Sequence, residues 1–161
     1  MSKHSRQQTK LESTGAEYLV IGHLLLERIQ AFKSPENNPG YDVIATNPEA
    51  GSSVRIQVKS RWATDFDGGF PIKNFNSEFV VFVALNRGFS FKKKTRRPED
   101  GKRAPVFYVL PTKLCKKYRR PTSTWSKLFL RHIPDVDSYL SNWNLIRKAL
   151  GMKVPEERIA S

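Results

Sequence analysis

A single α/β domain is what this 161-residue chain predicts, and three observations carry the prediction. Apolar residues recur at helical spacing in the first third, four short β-branched and aromatic runs follow, and a second amphipathic stretch closes the chain. With 39% apolar and 11% aromatic residues there is enough material for one packed core. The expected layout is a flexible polar tail over 1–12, one domain over 13–151 and a C-terminal tail over 152–161.

The first helix is predicted to start at Ser13 or Thr14 and to run to about Ala31. Ala16, Leu19, Val20 and Leu24 recur at helical spacing, and Ile21, Leu25, Leu26 and Ile29 widen the apolar stripe until it wraps more than one side. Gly22 inside it weakens a helix by ~1 kcal/mol relative to Ala, which suggests a close backbone neighbour. After the turn SPENNPG, YDVIAT and SVRIQVKS read as two strands joined between Asn47 and Ser52. SEFVVFVAL is apolar on both faces, as a central strand requires. Three consecutive strands suggest an antiparallel meander. A basic stretch from Phe89 to Arg103 precedes a fourth strand, PVFYVLP, and a short helix through TKLCKKY. The last helix is expected to begin near Asp135 or Asp137, to carry Tyr139, Trp143, Ile146 and Leu150 on one face, and to stop at Gly151.

Charge narrows the partner. From Arg87 to Arg131 there are fifteen Lys or Arg against two acids, so this stretch carries the whole net charge of +13 and the remainder balances. Such segregation suits a polyanion, and it is stronger than solubility requires. The nucleic-acid contacts expected are Lys92, Lys93, Lys94, Arg96, Arg97, Lys102 and Arg103 as a backbone clamp, extended by Lys116, Lys117, Arg119 and Arg120. Phe89 and Phe91, beside the lysines, could stack on unpaired bases or anchor their loop. No stretch approaches the ~20 apolar residues of a membrane span, and the polar start lacks the apolar segment of a signal peptide, so a soluble cytoplasmic protein is expected. Cys115 stands alone, and His4, His23 and His132 lack metal-ligand spacing. Any metal would therefore be held by oxygen, as Mg²⁺ or Mn²⁺ prefer.

The chemistry concentrates on two strands. If Thr46 faces Ser53 across the turn, Asp42 falls opposite Gln57, and Lys59 joins their face two residues on while Val54, Ile56 and Val58 point into the core. A one-residue slip would separate them. An acid, an amide oxygen and an ammonium group on one face can hold a divalent cation and a water against a phosphodiester. Ordinary explanations exist for each: Thr14-x-x-Glu17 reads as a capping box, Asp42 could close a turn after Gly40, and Gln57 and Lys59 could line a solvent face. Asp65 and Asp67 read as a surface turn, His23 as a core or rim histidine, and Cys115, Trp125, Trp143 and Tyr139 as packing residues.

Glu17 in an N-terminal helix, Asp42 at the first strand and Gln57-Val58-Lys59 in the second resemble the PD-(D/E)XK nuclease superfamily, which includes restriction endonucleases and Holliday-junction resolvases. The resemblance spans roughly residues 14 to 110, with Gln57 standing where an acid is usual. It implies a restriction-endonuclease-like αβββαβ core, that is, a mixed central sheet flanked by helices, here with a basic insertion before the fourth strand. It further implies Mg²⁺- or Mn²⁺-dependent hydrolysis of DNA. The catalytic residues would be Glu17, Asp42, Gln57 and Lys59, and the cation would be held by Asp42, Gln57, the Val58 carbonyl and Glu17. Paired cuts would need a homodimer, for which no interface is legible. The competing reading is a non-catalytic nucleic-acid binder on a degenerate nuclease fold.

Overall fold

The computed structural model describes residues 3–35, 40–63, 69–88, 102–120 and 126–156. Helix α1 (Lys3–Leu26) leads into β1 (Gln30–Lys33), β2 (Val43–Asn47), β3 (Ser52–Ala63), β4 (Phe70–Pro71), β5 (Phe79–Gly88) and β6 (Val106–Pro111). Helix α2 (Thr112–Tyr118), β7 (Lys127–Leu128) and α3 (Asn144–Ala149) follow. Five strands form one mixed sheet in the order β1-β2-β3-β5-β6, and β4 pairs with β7 apart from it.

The two faces of that sheet are packed differently. On one lies α1, whose Ala16, Val20 and Leu24 are fully buried against Val54, Ile56, Val81 and Val83, with Trp143, Ile146 and Leu150 completing the cluster. On the other, Val80, Phe82, Tyr108 and Leu110 pack under Phe70, Ile72, Cys115 and Leu128. Alternation along each strand produces this division, since successive side chains leave on opposite faces. Strand β5 is buried along nearly its whole length, as expected for the central strand.

Several expectations change. Helix α1 starts ten or more residues earlier than Ser13 and stops at Leu26. Arg28 takes a left-handed φ of 62°, and the next residues, read from sequence as helix, peel off as β1. Thr14 and Glu17 are therefore mid-helix, and no capping box exists there. Leu19, Leu25 and Leu26 are exposed rather than buried, and a Cβ on Gly22 would meet nothing within 4 Å, so no backbone among the described residues approaches it. The meander is also wrong: β2 and β3 are antiparallel, but β3 and β5 are parallel. Parallel neighbours need a crossover, and the chain between them supplies it with β4, whose Phe70 buries on the second face. The last helix is one short piece preceded by two one-turn 3₁₀ helices. Its end is as expected: Gly151 has φ 71°, Gly151 N donates to the Lys148 carbonyl at 3.1 Å and Met152 N to the Arg147 carbonyl at 2.9 Å, a Schellman stop. Helix α2 follows β6 over the expected residues. Residues 89–101, which include Lys92, Lys93, Lys94, Arg96 and Arg97, lie outside the described residues, as do Asp65, Asp67 and Trp125. Among the described residues no helix is long and apolar enough to cross a membrane.

Candidate active site

The site forms where β2 and β3 part. Their antiparallel ladder runs from Asn47↔Ser52 to Val43↔Ile56, the register read from the turn, and then ends. At Asp42 the backbone leaves that register: Asp42 N donates to the Ile56 carbonyl at 2.9 Å. The Asp42 carboxylate then takes the place of a strand, and Oδ2 accepts a hydrogen bond from Val58 N at 2.7 Å. Within an extended strand the N–H and C=O of one residue point to the same edge, so the Val58 carbonyl faces this opening as well.

On β3, Gln57 and Lys59 alternate away from Ile56 and Val58, beside Val80 and Phe82 of β5. Gln57 is only 8% exposed, and its Oε1 is buried without a hydrogen-bond partner among the described residues. An orphaned buried carbonyl oxygen costs on the order of 1–3 kcal/mol, so the fold tolerates a vacant acceptor here. Burial pushes the Lys59 ammonium below the usual lysine range, and the negative charge of Asp42 pulls it partly back. Glu17 reaches the same neighbourhood from α1. Burial, and then the charge of Asp42, push its carboxyl above the usual range, while Lys33, 3.5 Å away, opposes both. Asp42 is thus coupled electrostatically to Glu17 and, separately, to Lys59, and Gln57 directly precedes Val58, the residue whose N–H the Asp42 carboxylate holds.

Whether these residues suit a cation is decided by their donors. Two mutually repelling carboxylates, an unpartnered amide oxygen and a backbone carbonyl are all hard oxygen ligands, the set Mg²⁺ or Mn²⁺ takes. A positive ion would relieve the repulsion that raises Glu17. A cluster of three or more His, Cys, Asp or Glu does not occur among the described residues.

Arg61 is the residue that the sequence reading missed. It follows Gln57 and Lys59 on the same face of β3, its Nη2 donates to the Gly69 carbonyl, and its Nε is buried without a partner among the described residues. Burial lowers its pKa. Its signal was the continued alternation Gln57, Lys59, Arg61, two residues beyond the recognised motif.

Part of the described basic set lies on the layer that covers this face, while Lys33, Arg147 and Lys148 lie with α1, β1 and α3 on the other. Helix α2 carries Lys116 and Lys117, and its start is tied to β5 by Thr112 N donating to the Glu78 carbonyl at 3.0 Å. Several cations lie over aromatic rings, Arg119 over Phe75 at 4.8 Å and Arg131 over Phe129 at 4.5 Å, which packs their stems while the charge stays near the surface. Desolvation, and then Arg120 and Arg131, push His132 below its ordinary value. Lys102 and Arg103 precede β6, where Arg103 N donates to the Asn86 carbonyl at 3.2 Å. His23 packs between Phe107 and Trp143 at ring separations of 4.3 and 5.9 Å, on the face away from Gln57, as a rim histidine. Cys115 is buried, and burial pushes its thiol up to about 12.

No protein-family model matches the sequence, and no curated protein sequence matches it. Among solved structures, a bacterial homing endonuclease, I-Ssp6803I, is similar at a TM-score of 0.56 and 20% identity, covering 91% of this chain and 99% of that one. The likeness runs through the whole domain, so the two chains share a fold: a mixed sheet flanked by helices.

Proposed function

We propose that this chain is a metal-dependent endonuclease that hydrolyses DNA phosphodiesters, of the PD-(D/E)XK type with Gln57 in the place of an acid. The observation that carries the reading is the vacant Gln57 Oε1, buried one residue before the strand position that Asp42 closes and two before a desolvated Lys59. The fold shared with a homing endonuclease supports it, and so does the basic layer over the same sheet face.

Asp42, Gln57 Oε1 and the Val58 carbonyl would hold Mg²⁺ or Mn²⁺, with Glu17 as the supporting acid. When bound, such an ion supplies Lewis-acid polarisation of the phosphoryl oxygen and lowers the pKa of water. Asp42 has a second task, since its Oδ2 fixes the edge of β3 through Val58 N and so sets the direction of Gln57 and Lys59. Lys59, held in a low-dielectric position, orients the attacking water and offsets charge developing on the phosphate. Because burial favours its neutral form, it accepts a proton less readily than an exposed lysine and releases one more readily. Lys116, Lys117, Arg119 and Arg120, with Lys102 and Arg103, would bind the DNA backbone.

That no cluster of three acids occurs among the described residues favours one competing reading, a nucleic-acid binder whose metal site is too weak to cut. Incubating supercoiled plasmid with the protein in Mg²⁺, Mn²⁺ or EDTA separates the two. Nicking or linearisation in either metal, abolished by EDTA, is expected. Salt-sensitive binding with no cutting in any metal, and none restored by Gln57→Glu, would establish the binder instead.

A further inference from the structure

Helix α1 is apolar on both sides, and the described residues cover only one. Ala16, Val20 and Leu24 are fully buried beneath it. At the opposite angle lie Leu11, Gly15, Tyr18, Leu19, Gly22 and Leu26, none of them charged. The four large residues of this set are exposed by 67%, 58%, 36% and 79% in chain order. A Cβ added to either glycine would meet nothing within 4 Å, so nothing among the described residues makes use of the two positions where the helix lacks a side chain. Each glycine weakens a helix by ~1 kcal/mol relative to alanine. Bare backbone facing outward, flanked by leucines, is what close approach of another helix requires.

We propose that α1 packs antiparallel against α1 of a second copy of this chain, across a two-fold axis passing between Tyr18 and Leu19. The occupant is identified by the order of the outward residues. In an isologous contact the same patch must be complementary to itself, residue i meeting j and j meeting i. Around the gap between residues 18 and 19, Leu11 meets Leu26, Gly15 meets Gly22, and Tyr18 meets Leu19. Leucine meets leucine at both ends, glycine faces glycine on either side of the axis, and only the central pair joins unlike apolar residues. The area is sufficient too. The four large side chains expose on the order of 500 Å² per copy, so two copies would bury about 1,000 Å², the floor for a specific interface. A groove of about 690 Å³ extends the patch, lined by Leu11, Leu19, Trp62 and Leu85, and it lies where the second copy's Leu26 would arrive. The charges beside the contact offset one another: Lys33, whose ammonium lies 5.2 Å from the Tyr18 ring centroid, pairs with Glu17 at 3.5 Å, and the groove is lined by one acid, Glu12, and one base, Arg87.

The pairing is independent of the nuclease reading and is tested without DNA. Sedimentation equilibrium of the full chain at about 100 μM, above the micromolar Kd that a minimal interface supports, should give a dimer. Leu19→Glu with Leu26→Glu should give a monomer of unchanged circular dichroism. Single cysteines test the geometry, since Cys115 is buried and its thiol is held up to about 12. Two copies of Tyr18 lie beside the axis, whereas two copies of Leu26 would be ~22 Å apart along the helices, at 1.5 Å per residue. Mild oxidation should therefore cross-link Tyr18→Cys and leave Leu26→Cys uncross-linked. A monomeric wild-type chain would overturn the proposal and leave the face to a different protein. Cross-linking of both cysteine variants alike would overturn the antiparallel arrangement.

Discussion

Strand β3 serves two different faces. Val54 and Ile56 turn toward α1 and are buried among aliphatic side chains, whereas Gln57, Lys59 and Arg61 turn toward the layer formed by α2, β4 and β7. Side chains one residue apart therefore have opposite duties. The α1 face gains from removing apolar surface from water, about 25 cal/mol per Å². The other face bears a desolvated ammonium, a desolvated guanidinium and an unpartnered amide oxygen, all of which oppose folding. Both faces of the sheet bury an apolar cluster, but on β3 the second face sets these polar groups beside Val80 and Phe82, one step of alternation from the aliphatic residues packed under α1.

The largest expected effect sharpens that contrast at Asp42. Asp42→Asn keeps an oxygen that can accept from Val58 N but removes the charge, so it should fold normally and lose about 10³-fold in plasmid cleavage rate. Asp42→Ala should lose the same activity and also on the order of 1–3 kcal/mol of stability, read by urea unfolding, because the Val58 N–H loses its acceptor. Equal stability of the two variants would break the assignment of a structural duty to Oδ2. Next in size is Ile56→Ala. It should cost about 2–5 kcal/mol, with cleavage per folded molecule nearly unchanged.

A smaller effect concerns pH. Burial depresses the folded-state pKa of Lys59, so the unfolded chain binds its proton more tightly and the charged lysine destabilises the fold below that depressed value. As pH rises from the depressed value toward the ordinary lysine range, the penalty fades. Lys59→Met should therefore raise Tm at neutral pH in the absence of metal, and the gain should shrink as the pH approaches 10. A gain constant with pH would mean that packing, not charge burial, is responsible. Smallest of all, Mg²⁺ should raise Tm by a degree or two for the wild type and not for Asp42→Asn, through ligand linkage.

Much of this architecture was legible because alternation and length agree in β2, β3, β5 and β6. The turn from Asn47 to Ser52 set their first register correctly from Val43 to Asn47. Three features were hidden for physical reasons. The break after α1 rests on Arg28 in a left-handed conformation that no glycine or asparagine announces, and Ile29 and Ala31 continue a helical apolar spacing into β1. The parallel pairing of β3 with β5 depends on a crossover whose only regular element among the described residues is the two-residue β4, too short to leave a pattern. The early start of α1 is written in polar residues that show no apolar periodicity. At the site, residue types and spacing indicated Glu17, Asp42, Gln57 and Lys59 together, but not the departure of Asp42 from the ladder, which is a side-chain hydrogen bond and leaves no mark on spacing.

The most direct test of a chemical face beside a structural one is single-turnover cleavage by Lys59→Ala and Ile56→Val, run in parallel with urea unfolding of both. The account predicts that Lys59→Ala loses 10²-fold or more in rate with stability equal to or above wild type. It predicts that Ile56→Val keeps its rate and loses about 1 kcal/mol. Full metal-dependent cleavage by Lys59→Ala would contradict it.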